Sequence, residues 1–453
     1  MTQPWNEQTA LQLGAGIADG SIDPVALTDF FLDRIAEIDT DQAIFVRTTA
    51  DRARAEAMAA EARQRQGLRL GPLDGVPISW KDLVDSAGVA TEAGTRLLAG
   101  RTPAEDAVIL ARSQRAGLIC LGKTNLPDFA FSGLGINPAF GTPANACDDR
   151  TARVPGGSSA GAAVSVAKGL AAIGIGSDTG GSVRIPAALN GLFGLKTTAG
   201  LVPLDGVVPL SPTLDTIGPL THDAADANAM LAVLTGQPAF DLDGASLRGV
   251  RLLKPTNIFW RFVDDAVGRS FEAALARLGR AGVEISEAEI PELDQLVALL
   301  ERHGNMIASE GYAIWGATIE ADPNRIYPPI RERFRAGRGH SAADAEALHI
   351  GVADLQARYA ARVAGYHGVI APTVPILAPE IAPLEADAAK HDEAAMKVAW
   401  NTRWGNLLGI CAVTLPCTPV DGQGVGLMVM APPFTEGALL RLSTAMEGPV
   451  ADR

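Results

Sequence analysis

Apolar positions in the first seventy residues recur with the spacing of α-helices. After Asp23-Pro24, the apolar positions 25, 27, 30, 31, 35 and 38 follow a period close to 3.6 residues. Residues 51–66, rich in Ala, Arg and Glu, form a second helical segment. From Gly75 to about Gly236, short apolar runs at 76–79, 118–121 and 171–176 alternate with helical segments at 106–116 and about 158–169. This alternation favours an α/β fold with a mixed or parallel sheet.

The second half of the chain repeats this pattern around a long helical stretch. Apolar runs at 247–253 and 283–290 flank a helical segment at 264–281, and residues 292–365 are helical almost throughout. Strand-like runs return at 368–379, 412–417 and 424–432, before a last helix at 435–446. No Pro/Gly/Ser-rich linker interrupts the chain. We therefore expect one large domain over 1–453, with N-terminal helices at 1–70, a core at 71–236 and a helical cover at 292–366.

Composition and charge exclude several classes of protein. The chain has 453 residues, of which 47% are hydrophobic, enough for a large core. Its net charge is −14, and its densest basic run, 52–69, is interleaved with Glu56 and Glu61, so we expect no nucleic-acid binding. We find no signal-peptide pattern and no run of about 20 apolar residues, and therefore predict a cytoplasmic protein that does not bind membranes. The four cysteines lack metal-ligand spacing, so neither a disulfide framework nor a metal site is expected.

The candidate chemistry lies in two serines and one lysine. Ser158 and Ser182 stand 24 positions apart in glycine-rich turns, and Lys81 precedes both at the end of a predicted strand. A serine needs a base to act as a nucleophile at neutral pH, and no histidine lies near either serine. A neutral lysine can be that base. The patterns of phosphate and dinucleotide loops, GxxxxGK[ST] and GxGxxG, are absent.

Two further features of these segments each allow two interpretations. Successive backbone N–H groups around the second turn could form a hollow that binds an oxyanion. Asp178 and Arg184 flank that turn, and a local ion pair that supports it is favoured over direct chemistry. Lys81 could be a surface residue at a strand end, or it could be buried. Burial would lower its pKa and let it act as a base.

Three segments together resemble the amidase signature family of serine hydrolases. They read GVPISWKD (75–82), VPGGSSAGAAVSVAKG (154–169) and GSDTGGSVRIPAALNG (176–191), in the family's order and spacing. Weaker similarities at 122–130, 213–221, 371–379 and 406–417 extend the resemblance over most of 71–447.

The resemblance implies a role for each residue of the triad. Ser182 would be the nucleophile, Ser158 would relay a proton from behind a cis peptide bond with Gly157, and Lys81 would be the base. No metal or organic cofactor is required. The oxyanion would be held by backbone N–H groups of Thr179, Gly180, Gly181 and Ser182, and Ala130 would line the substrate site through its backbone.

Some positions depart from the family pattern without removing a catalytic group. Ala160 and Ala162 stand in the glycine/serine-rich stretch, Trp80 precedes the lysine, and LKTTAG (195–200) replaces the usual LKPTxG. Trp80 could narrow the pocket. We interpret the chain as a divergent but active member.

Three functions are compatible with these motifs. The first is an amidase that hydrolyses a small-molecule carboxylic amide to the acid and ammonia or an amine through an acyl-Ser182 intermediate. The second is an A-type glutaminase component of a tRNA-dependent amidotransferase, which would need partner proteins. The third is a non-catalytic binding protein with the same fold. The sequence does not identify the substrate, and a homodimer is possible.

The pocket is expected to draw on residues 129–140, 292–335 and 401–406. Glu310 could face the substrate, although a solvated helix position is favoured. Six aromatic residues could line the pocket, although a core position is favoured for each: Trp80, Phe131, Phe140, Tyr312, Trp315 and Trp404.

Overall fold

A mixed β-sheet flanked by helices forms the centre of the protein. The computed structural model describes residues 3–452, and within them eleven strands form one sheet in the order β1-β3-β2-β4-β6-β5-β10-β11-β9-β7-β8. The strands are β1 (Phe45–Thr48), β2 (Pro77–Lys81), β3 (Ile119–Thr124), β4 (Ile173–Ser177), β5 (Phe193–Lys196), β6 (Ile217–Thr221), β7 (Arg251–Pro255), β8 (Glu284–Ala288), β9 (Gly368–Pro372), β10 (Cys411–Pro416) and β11 (Gly426–Ala431). The β2–β3, β2–β4, β7–β8 and β7–β9 pairs are parallel and the others are antiparallel, which confirms the predicted α/β fold with a mixed sheet.

Sixteen α-helices surround the sheet within the described residues. They are α1 (Ala10–Asp19), α2 (Pro24–Ile38), α3 (Ala50–Gln66), α4 (Val108–Arg115), α5 (Ala160–Ala167), α6 (Arg184–Leu189), α7 (Ala224–Thr235), α8 (Asp265–Arg280), α9 (Pro291–His303), α10 (Met306–Ala321), α11 (Pro328–Ala336), α12 (Ala342–Val363), α13 (Ile381–Ala386), α14 (Ala388–Val398), α15 (Arg403–Leu407) and α16 (Glu436–Ala451). Across residues 3–452, none of the helices combines the length and the apolar character needed to span a bilayer.

The N-terminal region is helical, as predicted, except for one short strand. Helix α2 begins at Pro24 because the Asp23 carboxylate accepts hydrogen bonds from the N–H groups of Val25 and Ala26. Strand β1 was not predicted. It has four residues, only Phe45 among them is buried, and it pairs with the edge of β3. Such a short edge strand has no periodicity of its own, so its existence depends on its partner.

The parallel strands at the centre position the candidate chemistry. Every residue of β2, β3 and β4 is buried, which explains why these strands read as mostly apolar runs and not as alternating apolar and polar positions. Trp80 in β2 is in register with Ile175 in the parallel strand β4. The carboxyl ends of these strands, Lys81 and Ser177, therefore emerge at the same edge of the sheet.

Candidate active site

Lys81 lies fully buried at the end of β2, so the surface position considered from the sequence is wrong. Its Nζ donates hydrogen bonds to three hydroxyl oxygens: Ser158 Oγ at 2.6 Å, Ser177 Oγ at 2.8 Å and Ser159 Oγ at 3.1 Å. All three acceptors are neutral, and no carboxylate among the described residues lies within ion-pair distance of Nζ. The site thus holds a lysine without a directly bonded counter-charge.

The surroundings of Lys81 bring its titration close to neutral pH. Burial lowers the pKa of Lys81 from its ordinary value of 10.5 to about 7, although the negative charges of Asp178 and Asp215 act in the opposite direction. A substantial fraction of neutral amine therefore exists at physiological pH. A neutral amine 2.6 Å from a hydroxyl can accept its proton.

The two serine turns are joined directly. The Gly157–Ser158 peptide bond is cis, and Ser158 is completely buried just before α5. The N–H of Ser159 donates to the carbonyl of Ser182 at 3.1 Å, which fixes one turn against the other. Ser182 is 7% exposed and lies in the wall of a cavity. Ser158 thus contacts the buried lysine and belongs to a turn that is hydrogen-bonded to the turn carrying the cavity serine.

Asp178 supports the second turn, as the sequence analysis favoured. Its carboxylate accepts hydrogen bonds from the N–H groups of Gly181 and Val183 at 2.8 and 3.1 Å. It also pairs with the fully buried Arg184 guanidinium at 3.0 Å and accepts from Asn406 Nδ2 at 3.0 Å. Burial alone would raise the pKa of Asp178, but Arg184, together with the charge of Lys196 and the hydrogen bond from Asn406, holds that pKa far below the usual range. The turn is thus built around a permanently charged carboxylate.

Three N–H groups of this turn are available to a ligand. In residues 3–452, the backbone N–H groups of Thr179, Gly180 and Ser182 have no acceptor, whereas that of Gly181 already donates to Asp178. Gly181 has φ +127°, and a Cβ there would lie 2.0 Å from Thr402 Oγ1. Only glycine fits that position. The arrangement leaves a polar hollow beside the Ser182 side chain.

The cavity in front of Ser182 has a volume of about 450 Å³ and mostly apolar walls. All three segments predicted to form it contribute, through residues such as Ala130, Ile307 and Arg403. Of the six candidate aromatic residues, Phe131 lines this cavity. Trp80 and Trp404 are buried in the core instead, and Trp315 packs on Phe129 with a ring separation of 4.5 Å, so Trp80 does not narrow the pocket.

Known proteins resemble this chain in sequence and in fold. The sequence model described as Amidase matches residues 26–440. The chain belongs to the amidase family. It is 35% identical over 426 residues to the 2-amino-5-chloromuconic acid deaminase of Comamonas testosteroni, covering 93% of this chain and 92% of that one. It is 31% identical over 487 residues to the A-type component of the glutamyl-tRNA(Gln) amidotransferase of Acidothermus cellulolyticus, covering 98% and 95%.

Solved structures show the same architecture. A crystal structure of an amidase superposes with a TM-score of 0.88 at 28% identity, covering 98% of this chain and all of that one. The peptide amidase of Stenotrophomonas maltophilia superposes with a TM-score of 0.82 at 26% identity, covering 99% and 98%. The single α/β domain and the amidase activity predicted from the motifs are therefore confirmed: the protein is a hydrolase that acts on carbon–nitrogen bonds of linear amides.

Two features of the amidase site differ from the sequence interpretation. Glu310 is not a solvated helix residue, because its Oε2 accepts hydrogen bonds from Ser211 Oγ at 2.7 Å and from the Thr213 N–H at 3.1 Å. It therefore holds the loop before β6 against α10. Arg333 and the α14 residues around Met396 also line the cavity. Arg333 lies in a predicted segment but was not singled out, and α14 was not predicted; neither carries a motif.

Proposed function

We propose that this amidase uses Ser182 as its nucleophile, Ser158 as a proton relay and Lys81 as the base. The observation that supports this assignment most strongly is the buried Lys81 Nζ, 2.6 Å from Ser158 Oγ and with a pKa of about 7. Ser158 in turn lies on the turn that is hydrogen-bonded to Ser182. The three residues thus offer a route for a proton from the cavity wall to a neutral amine.

In the proposed reaction, neutral Lys81 takes the proton of Ser158, which takes that of Ser182. Ser182 Oγ then forms a bond to the amide carbonyl carbon. When the tetrahedral intermediate collapses, the carbon–nitrogen bond breaks, and the proton returns through Ser158 to the leaving ammonia or amine. Water then attacks the acyl-Ser182 ester with the same pair as base, releasing the acid.

The oxyanion of the intermediate would be bound by the turn at 179–182. The N–H groups of Thr179, Gly180 and Ser182 are free to donate, and Gly181, whose N–H is shared with Asp178, allows the close approach. Loss of one such donor typically costs roughly 100- to 1000-fold in rate. Ala130, which lines the cavity with φ +62°, would contact the substrate through its backbone.

The test is ammonia release from a panel of amides by wild type and Ser182→Ala, together with labelling by a fluorophosphonate. We expect wild type to release ammonia and to be labelled, and Ser182→Ala to do neither. Ser132→Ala is a matched control, because Ser132 also lines the cavity but has no place in the relay. Labelling of Ser182→Ala at this site would refute the nucleophile assignment. A wild type that is not labelled at any pH would instead support a non-catalytic binding protein.

A second candidate function is the glutaminase component of a tRNA-dependent amidotransferase. It is supported by the 31% identity to the A-type component of such an enzyme over 98% of this chain. Two observations separate the two functions. Hydrolysis of glutamine by the isolated chain would show that no partner is needed, whereas co-purification with further proteins would support the amidotransferase component.

A homodimer and a location in the cytoplasm remain predictions, as does the covering role of residues 292–366.

A further inference from the structure

Two arginines line the amidase cavity together with the nucleophile candidate. Arg333 comes from α11 and Arg403 from the start of α15, so the fold brings them to one wall from distant parts of the chain. Neither takes part in the proposed proton relay. A cation in a largely apolar cavity is costly unless an anion or several acceptors compensate it.

Arg403 is held firmly but has no carboxylate partner within the described part of the chain. Its Nε donates to the Ala399 carbonyl at 3.1 Å, and its Nη2 donates to the Met396 carbonyl at 3.3 Å. Its guanidinium carbon lies 5.4 Å from the Trp400 ring centroid and 5.9 Å from that of Trp404. A guanidinium has five N–H groups, so three remain without an acceptor among residues 3–452. Arg403 is therefore positioned, but its charge is not neutralised.

Arg333 is only weakly compensated. Its Nη1 donates to the Phe131 carbonyl at 3.0 Å, and its Nη2 lies 3.7 Å from Asp392 Oδ1, beyond hydrogen-bond distance. The Asp392 side chain is 65% exposed, so water screens this contact. Burial lowers the pKa of both arginines, and the charge of Arg333 lowers that of Arg403 further. The two cations thus repel each other across the same cavity.

The remaining acidic residue of the wall does not compensate them. Glu332 pairs with Arg331 at 2.9 Å and with Arg335 at 3.1 Å. Asp392 is left as the one nearby carboxylate among the described residues of the wall, and it contacts Arg333 alone of the two cavity arginines. The positive charge of the wall is therefore not fully balanced, and one more anion would balance it.

We propose that the substrate is an amide that carries a carboxylate, bound by Arg333 and Arg403 while the amide group lies at Ser182. This proposal rests on the proposed function of Ser182. Arginine suits the task, because its planar fork can bind both oxygens of a carboxylate. The apolar residues elsewhere in the wall, such as Leu210, Leu214 and Ile307, would contact the hydrocarbon part that joins the two groups.

The experiment measures binding separately from turnover. In a Ser182→Ala background, calorimetry gives the Kd of two carboxylate amides: glutaramic acid, with the carboxylate on the acyl side, and N-propanoyl-β-alanine, with it on the amine side. Hexanamide and N-butylpropanamide are the neutral counterparts. The variants are Arg333→Gln, Arg403→Gln and Asp392→Asn. Arg325→Gln serves as control, because Arg325 lies shortly before helix α11 and outside the cavity wall, and it pairs with Asp322, which is also outside the wall.

At least one carboxylate amide should bind more tightly than its neutral counterpart. Arg333→Gln and Arg403→Gln should each weaken that binding roughly 10- to 100-fold, the usual effect of losing hydrogen bonds to a charged group, and should change neutral-amide binding little. Arg325→Gln should have no effect, and Asp392→Asn should strengthen carboxylate binding because it removes a competing anion. With Ser182 intact, each variant should still be labelled by a fluorophosphonate, which shows that the site is folded.

Equal binding of charged and neutral amides in both pairs would overturn the proposal. The proposal would also be overturned if Arg403→Gln weakened binding of a carboxylate amide and of its neutral counterpart by the same factor. Failure of the proposed function looks different: carboxylate amides would bind in an arginine-dependent way, yet the enzyme with Ser182 intact would not hydrolyse them.

Discussion

The pKa of Lys81 makes the reactivity of Ser182 depend on pH in a calculable way. Only the neutral amine can accept a proton from Ser158, so the acylation rate should follow the neutral fraction of Lys81. With a pKa of about 7, that fraction is about 0.9 at pH 8 and about 0.01 at pH 5. The acylation rate should therefore fall roughly 90-fold between pH 8 and pH 5, and about 10-fold for each pH unit below 6.

The assay is the second-order rate constant for fluorophosphonate labelling, measured from pH 5 to pH 9. Labelling reports the first bond-forming step and does not require the natural substrate. Lys81→Ala should be slower at every pH, and its profile should lose the break near pH 7. A wild-type rate that is flat across this range, or a break that survives in Lys81→Ala, would refute the assignment of Lys81 as the base.

One neighbouring group titrates in the same range and needs its own control. Burial raises the pKa of Asp215 to about 6, and its Oδ1 accepts a hydrogen bond from Thr179 Oγ1 at 2.5 Å. Protonation of Asp215 at low pH could disturb the oxyanion turn independently of Lys81. Asp215→Asn removes that titration, and the break near pH 7 should persist in this variant if Lys81 is its cause.

Three further predictions concern stability and the turn. The folded-state pKa of Lys81 lies below its ordinary value of 10.5, so burial of the charged side chain lowers the free energy of unfolding. The full loss, about 5 kcal/mol, applies below about pH 7, and it disappears as the pH rises towards 10.5. Lys81→Met should therefore gain stability over wild type at pH 6 and gain less at pH 9, and denaturant titration at the two pH values measures this. Asp178→Asn should cost about 3–5 kcal/mol, because Arg184 is left as an unpaired buried charge, and a fall of less than 1 kcal/mol in the same titration would contradict the supporting role of Asp178. Gly181→Ala should abolish labelling because its Cβ would lie 2.0 Å from Thr402 Oγ1, whereas labelling at the wild-type rate would show that the turn can move.

Elements with a long repeating pattern were predicted well from the sequence. Helix α8, predicted at 264–281, spans Asp265–Arg280, because its apolar stripe extends over four turns. Strands β5 and β6 were not predicted. They have four and five residues, are buried throughout, and pair with each other and with distant strands. A short buried strand lacks the alternation of apolar and polar residues that marks a half-exposed strand. Its pairing also depends on parts of the chain that only the fold brings together.

In the site, too, residues in short local motifs could be predicted, whereas contacts that depend on the fold could not. Lys81, Ser158 and Ser182 were found because each lies in a short segment with characteristic spacing, and the structure brings the segments of all three together. The hydrogen bond from the Gly181 N–H to Asp178 could not be predicted, since it depends on the turn's backbone conformation. Arg333 and Arg403 were not singled out either, because an arginine in a helix carries no motif that marks its position in a cavity wall.

The structure also explains why Lys81, and not another buried lysine, can be the base. Lys123 and Lys196 are equally buried. Burial lowers the pKa of Lys123, but Lys123 is paired with Asp82 at 3.0 Å, and that carboxylate opposes the shift by stabilising the charged form. Lys196 donates to the carbonyls of Thr197 and Ile410, which accept hydrogen bonds but have no proton to give. Lys81 alone of the three contacts a hydroxyl on the turn bonded to Ser182, and a hydroxyl can both donate and accept a proton. Burial lowers the pKa of Lys196 as well, to about 8, so the partner groups, more than the depth of burial, decide which lysine can activate a nucleophile.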